Sequence, residues 1–173
     1  MPKQKGAELE SEVSDAIKSL RYNNIEIGKR SVVGISGNKR SIDVVAEWAS
    51  KARKQNALAL ERNILVLIEC KDVMSKNAST YDNQMKRAYA ALGDFRKLRC
   101  LKYVVVREKR KWHGKHFDYD SYFRSIGVRL IGWNEEKRAF RSEIKMRFNS
   151  KWWRANHYPG REESKAKWVR EHQ

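Results

Sequence analysis

The stretch that most constrains this chain is Ile64-Leu65-Val66-Leu67-Ile68, five consecutive apolar residues that end abruptly in Glu69-Cys70-Lys71. A short run that is apolar at every position fits a strand buried on both faces, and such a strand needs helices covering each side of its sheet. Side chains alternate across a strand, so Glu69 and Lys71 project together while Cys70 projects the other way. An upstream strand-like segment, Ser41-Ile42-Asp43-Val44-Val45-Ala46, carries a further acid. If the two segments are neighbours, Asp43 stands beside Glu69, and two carboxylates and one ammonium meet at one point. That set suits a divalent metal ion with a lysine next to its bound water.

The rest of the chain supplies the layers. Leu9, Val13, Ile17 and Leu20 recur at three- and four-residue steps and predict a helix over 7–20, with Glu8, Glu10, Glu12 and Asp15 between them. A strand is expected over 25–33, and a hairpin connection over 34–40 leads into the Asp43 strand. The polar, basic stretch 49–63 reads as an excursion between the two acid-bearing strands. Met85, Ala88, Leu92 and Phe95 predict a second helix over 81–98, with Tyr89 as a core residue on it. A buried strand over 101–107, a short helix over 118–126 and a last strand over 128–133 complete a mixed sheet flanked by helices.

Past Asn134 the character changes. Between Lys137 and Gln173 eleven Lys or Arg face four Asp or Glu, so +7 of the chain's formal +17 lies there. The domain reading is therefore a core over 1–134 and a basic, Trp-containing extension over 135–173. Cations interleaved with Trp152, Trp153, Tyr158 and Trp168 suit phosphate neutralisation and packing on bases. A helical appendage packing its tryptophans on the core is the competing account.

Composition narrows the function classes. At 173 residues, 40% hydrophobic and 34% charged, the chain is the size of one folded domain. Its longest apolar run is far short of the roughly 20 residues that span a bilayer, and the N-terminus does not lead into an apolar signal region. A cytoplasmic, nucleoid-associated protein without a membrane role is expected. The surplus of 38 basic over 21 acidic residues calls for a polyanionic partner, and DNA is the expected one. Cys70 and Cys100 lack metal-ligand spacing and read as small buried residues.

Ile42-Asp43, a gap, then Glu69-Cys70-Lys71 resembles the signature of the PD-(D/E)XK nuclease superfamily, although Ile42 stands where the family name has proline. The resemblance covers roughly residues 6–132. It implies an α/β, restriction-endonuclease-like mixed β-sheet flanked by helices, here with the basic C-terminal extension. It implies a Mg2+-dependent DNA endonuclease, with Mn2+ as a substitute, of the restriction, homing or Holliday junction resolvase type. Asp43 and Glu69 would be metal ligands, the backbone carbonyl of Cys70 a third, and Lys71 the group that orients water and steadies developing charge. Gly6-Ala7-Glu8-Leu9-Glu10 resembles the helix start of the junction-resolving branch, which makes Glu10 a further catalytic candidate. Glu8 and Glu12 compete with it, and acids serving the helix dipole are the plain alternative. Gln84 loosely resembles a glutamine that several branches carry on the helix after Glu-x-Lys.

Candidate nucleic-acid contacts are Lys39 and Arg40 before the Asp43 strand, Lys109, Arg110 and Lys111 in a basic loop, and Lys151, Trp152 and Arg154 in the extension. His113 and His116 in that loop are read as solvated or phosphate-facing rather than as metal ligands. Cutting both strands of a duplex needs two active sites, so a homodimer or higher symmetric oligomer is expected. A non-catalytic basic nucleic-acid-binding protein, with Asp43, Glu69 and Lys71 as an ion-pair cluster, is the alternative.

Overall fold

The computed structural model describes residues 6–20, 25–48, 64–72, 78–96, 100–109 and 118–149. Its elements in chain order are α1 (Ala7–Lys18), β1 (Ile25–Val33), β2 (Lys39–Trp48), β3 (Ile64–Lys71), α2 (Ala78–Gly93), β4 (Leu101–Val106), α3 (Tyr119–Arg124), β5 (Arg129–Gly132) and α4 (Trp133–Asn149). The five strands form one sheet in the order β1-β2-β3-β4-β5. The β1-β2 and β2-β3 pairs are antiparallel, whereas β3-β4 and β4-β5 are parallel. The expected α/β architecture, a mixed sheet flanked by helices, is thus the observed one.

Strand alternation sorts the core into two layers. Val66, Ile68 and Cys70 of β3 face one way with Tyr103, Val105 and Ile131, under α1 and α4. Leu67 faces the other way with Val104, Val106 and Leu130, under α2 and α3. The central strands are buried from both sides because parallel crossovers place helices over them. On α1 the buried residues are Leu9, Val13, Ala16 and Ile17; of the expected stripe Leu9, Val13 and Ile17 are buried, and Leu20, past the end of the helix, is partly so.

Several element boundaries differ from the sequence reading, most by one to three residues, and one helix is additional. The second helix begins earlier and ends at Gly93, after which Phe95 is buried in a turn closed by its N–H to Leu92 O. The short helix is capped by Asp118, whose carboxylate accepts from the Ser121 N–H. The helix over 133–149 has no counterpart among the expected core elements, only in the competing account of a helical appendage, because its apolar positions are outnumbered by charges. Phe140 and Ile144 of α4 are nevertheless fully buried, and Phe140 stands edge-on to Tyr103 and Trp133. The boundary drawn after Asn134 therefore falls in the first turn of a helix that helps to close the core. The excursion over 49–63 and the extension beyond 149 lie outside the described residues.

Candidate functional site

The site forms where β2 and β3 part. Their ladder runs from Glu47↔Ile64 to Val44↔Ile68, and the next positions in that register are Asp43 and Glu69. There the backbone pairing gives way to a side chain: the Cys70 N–H donates to Asp43 Oδ2 at 2.8 Å. The Asp43 carboxylate thus holds the end of β3 and is itself fixed.

A second irregularity aims Asp43. Gly28 pairs with Val45 and Arg30 with Ile42, so β2 spends one more residue than β1 across this stretch. This bulge explains why Ile42 and Val45 share the α2 layer while Val44 packs under α1. Bulges of this kind re-aim a side chain at a sheet edge. The Lys29 ammonium, opposite the bulge, is 3.7 Å from Asp43 Oδ1.

Glu69 is nearly inaccessible, with a side chain 5% exposed, and Lys71 Nζ lies 3.0 Å from its Oε2. The other oxygen, Oε1, is buried without a hydrogen-bond partner among the described residues. Burial pushes the Glu69 carboxyl up to about 7, the negative charge of Asp43 adds to this, and the Lys71 ammonium opposes it. Glu10 joins from α1. Its carboxyl is raised by burial first and then by the charge of Asp43. Lys29 and Lys71 pull it the other way.

The three acids of α1 separate here. Glu8 is exposed. Glu12 takes both Arg107 guanidinium donors at 2.9 Å and the Trp133 indole N–H at 2.9 Å, so it ties α1 to β4 and α4. Arg107 in turn lies 3.5 Å from Asp72. Glu10 alone of the three is coupled to Asp43. Cys70 turns its side chain into the α1 layer, where burial and then the charges of Asp43, Glu10 and Glu69 push its thiol well above the ordinary range. It is held as a thiol.

Among the described residues no three His, Cys, Asp or Glu side chains converge closely enough to cage an ion. A Mg2+ ion does not need such a cage. It keeps several waters and binds through one or two carboxylates with substrate phosphates. Asp43 and Glu69 are hard oxygen donors, and the orphaned Oε1 of Glu69 is a buried lone-pair site that lacks a donor. The residues present therefore fit a small oxygen-seeking divalent cation.

The other candidates distribute as follows. Gln84 is half-buried on α2, and the bonds within the cluster are made without it. Lys39 is exposed at the start of β2. Arg40 reaches Asp94 at 3.3 Å, and Lys109 lies 3.1 Å from both Asp120 and Glu136. Arg110, Lys111, His113, His116, Lys151, Trp152 and Arg154 lie outside the described residues. Lys29 was missed, since only the register of a bulged hairpin brings it to Asp43.

By fold this is an α/β protein with a mixed five-stranded sheet. No protein-family model matches the chain, and no curated protein matches it in sequence. Among solved structures it is similar to NucC of P. aeruginosa ATCC27853 in its cAAA-bound form, at 16% identity and a TM-score of 0.48, covering 72% of this chain and 60% of that one. NucC of E. coli MS115-1, also cAAA-bound, is similar at 15% identity and a TM-score of 0.43, covering 60% of this chain and 51% of that one. AF1548, described as a protein of unknown function, is similar at 21% identity and a TM-score of 0.43, covering 73% of this chain and 59% of that one. The chain thus spans between half and three fifths of the length of the structures it matches. No helix among the described residues is long and apolar enough to cross a membrane.

Proposed function

We propose that the chain is a metal-dependent DNA endonuclease of restriction-endonuclease-like architecture. The observation that carries this reading is the buried Glu69 carboxylate, one oxygen unpartnered among the described residues, set beside Asp43 and Lys71 where β2 and β3 part. A purely structural ion pair has no use for a lone pair left orphaned in the interior.

Asp43 and Glu69 would hold Mg2+ or Mn2+, with the Cys70 carbonyl as a further donor. Bound there, the ion neutralises the scissile phosphate and lowers the pKa of an attached water. Lys71, pinned by Glu69 and 18% exposed, keeps an ammonium at the mouth of the site. Its N–H donors orient the attacking water and its charge stabilises the negative charge that develops on the phosphate. Glu10 supports Asp43 from α1. Asp43, bonded to the Cys70 N–H, holds the ends of the two strands that carry the acids in register.

The +17 charge supports a polyanionic partner, and duplex cleavage favours a symmetric homo-oligomer that brings two sites together. Restriction, homing and junction-resolving activities all fit this description. The second reading, a non-catalytic basic nucleic-acid-binding protein, is favoured by the 3.0 Å Lys71–Glu69 pair, which is a complete ion pair without any metal.

The test is to incubate the protein with Mg2+ or Mn2+ and supercoiled plasmid, linear duplex, single strand, four-way junction and RNA, and to map the ends. Cutting is expected in wild type and its loss in Asp43→Ala, Glu69→Ala and Lys71→Ala, with DNA affinity largely kept. Ca2+ should hold the DNA complex without efficient turnover. Intact substrates throughout, with DNA binding that weakens steadily as Ca2+ is added, would establish the passive binding module instead.

A further inference from the structure

We infer that Lys29 is a displaceable counter-ion: it holds the Asp43 carboxylate while the site is free of metal and passes to a substrate phosphate when a divalent ion binds. This rests on the metal-site reading above and assigns it a residue that no sequence motif marks. Of the two Asp43 oxygens, Oδ2 is committed to the Cys70 N–H at 2.8 Å. Lys29 stands by the other, Oδ1, the oxygen that remains for a ligand. The two lysines of the cluster differ in how they are held. Lys71 is 18% exposed and 3.0 Å from Glu69, whereas Lys29 is 60% exposed and 3.7 Å from Asp43.

The Asp43 end of this pair is 12% exposed, but the ammonium is in solvent and stands beyond hydrogen-bond distance, so it is released at little cost. An ammonium and a divalent cation repel at the same oxygen, so occupancy by one weakens the other. The bulge in β2 keeps Lys29 opposite Asp43 even after it lets go, and its flexible stem leaves the charge at the mouth of the site. A phosphate drawn to the ion therefore meets a cation already in place. In this way ion binding and DNA binding are coupled through one side chain.

The experiment compares wild type with Lys29→Met and Lys29→Arg. Mn2+ binding to the DNA-free protein is followed by electron paramagnetic resonance, and duplex affinity is measured against salt in EDTA and in Ca2+. Lys29→Met should bind Mn2+ roughly ten- to thirtyfold more tightly, the effect of removing one unit charge about 4–6 Å from a divalent ion in a water-like medium. Its salt slope should match wild type in EDTA and fall by about 0.9 in Ca2+, one phosphate contact fewer. Lys29→Arg should restore that slope. Unchanged or weaker Mn2+ binding by Lys29→Met, or an equal loss of slope in EDTA and Ca2+, overturns the inference. A wild type that binds no Mn2+ refutes the metal-site reading itself, and the exchange with it.

Discussion

Replacing Glu69 by glutamine should change how stability depends on pH, and the size of the change follows from the burial of this carboxyl. Its folded pKa is raised to about 7 from an ordinary 4.5, because burial and the Asp43 charge outweigh the Lys71 ammonium. Between those two values the folded protein binds more protons than the unfolded chain, so stability falls as pH rises through this window. Each pKa unit is about 1.4 kcal/mol, so the stability lost between pH 5 and pH 8 is on the order of 2–3 kcal/mol. Glu69→Gln carries no such proton. In EDTA, urea unfolding of the two proteins at pH 5 and pH 8 should show the variant gaining on wild type by roughly 2–3 kcal/mol across that range. A saturating divalent ion should recover wild-type stability at pH 8, since it binds the folded state and replaces the lost proton. Parallel stability profiles for the two proteins would refute the reasoning, for they would mean that Glu69 is solvated or fully compensated by Lys71.

Cys70→Ala should keep its metal response and any cleavage activity, since its side chain lies in the α1 layer and only its backbone faces the site; end-point cleavage of plasmid checks this. Gly34→Ala should destabilise the fold by about 3 kcal/mol in denaturant titration, combining overpacking with lost hydrogen bonds to a charged group. The added Cβ would fall 2.0 Å from Asp94 Oδ2, a carboxylate pinned by the Ser36 N–H and hydroxyl and by Arg40. Burial opposes the ionisation of Asp94, but those bonds hold its carboxyl below the usual range. Truncation after Asn149 should lower the salt slope of duplex binding by about 0.9 for each phosphate contact removed. Truncation before Lys137 should unfold the protein, because it deletes the buried Phe140 and Ile144.

Two periodicities made most of the fold legible. The all-apolar Ile64–Ile68 run specified a strand covered on both faces, and the spacing of Leu9, Val13 and Ile17 specified the inner face of α1. Glu69 and Lys71 could be paired from the sequence because strand alternation is local and fixed. The neighbouring place of Asp43 needed only that β2 and β3 be adjacent, which the register confirms. α4 was hidden for the opposite reason. Its charged face is longer than its apolar one, and Phe140 shows itself as core only once it stands against Tyr103, far away in the chain, and against Trp133 at the start of its own helix.

What the tertiary structure alone decided is which charges meet. Glu8, Glu10 and Glu12 are equivalent as acids at a helix start, yet Glu12 is bound to Arg107 and Trp133, Glu8 is exposed, and Glu10 is coupled to Asp43. Arg40 and Lys109, candidates for phosphate contact by sequence, have Asp94 and the Asp120–Glu136 pair beside them. Lys29 enters the site through a bulge that changes the strand register by one residue. Hydrophobic patterning is written locally because burial follows the period of the backbone, whereas a charge has no preferred period. Its partner is set by where the packed layers bring it, and that is settled only when the sheet and helices have assembled.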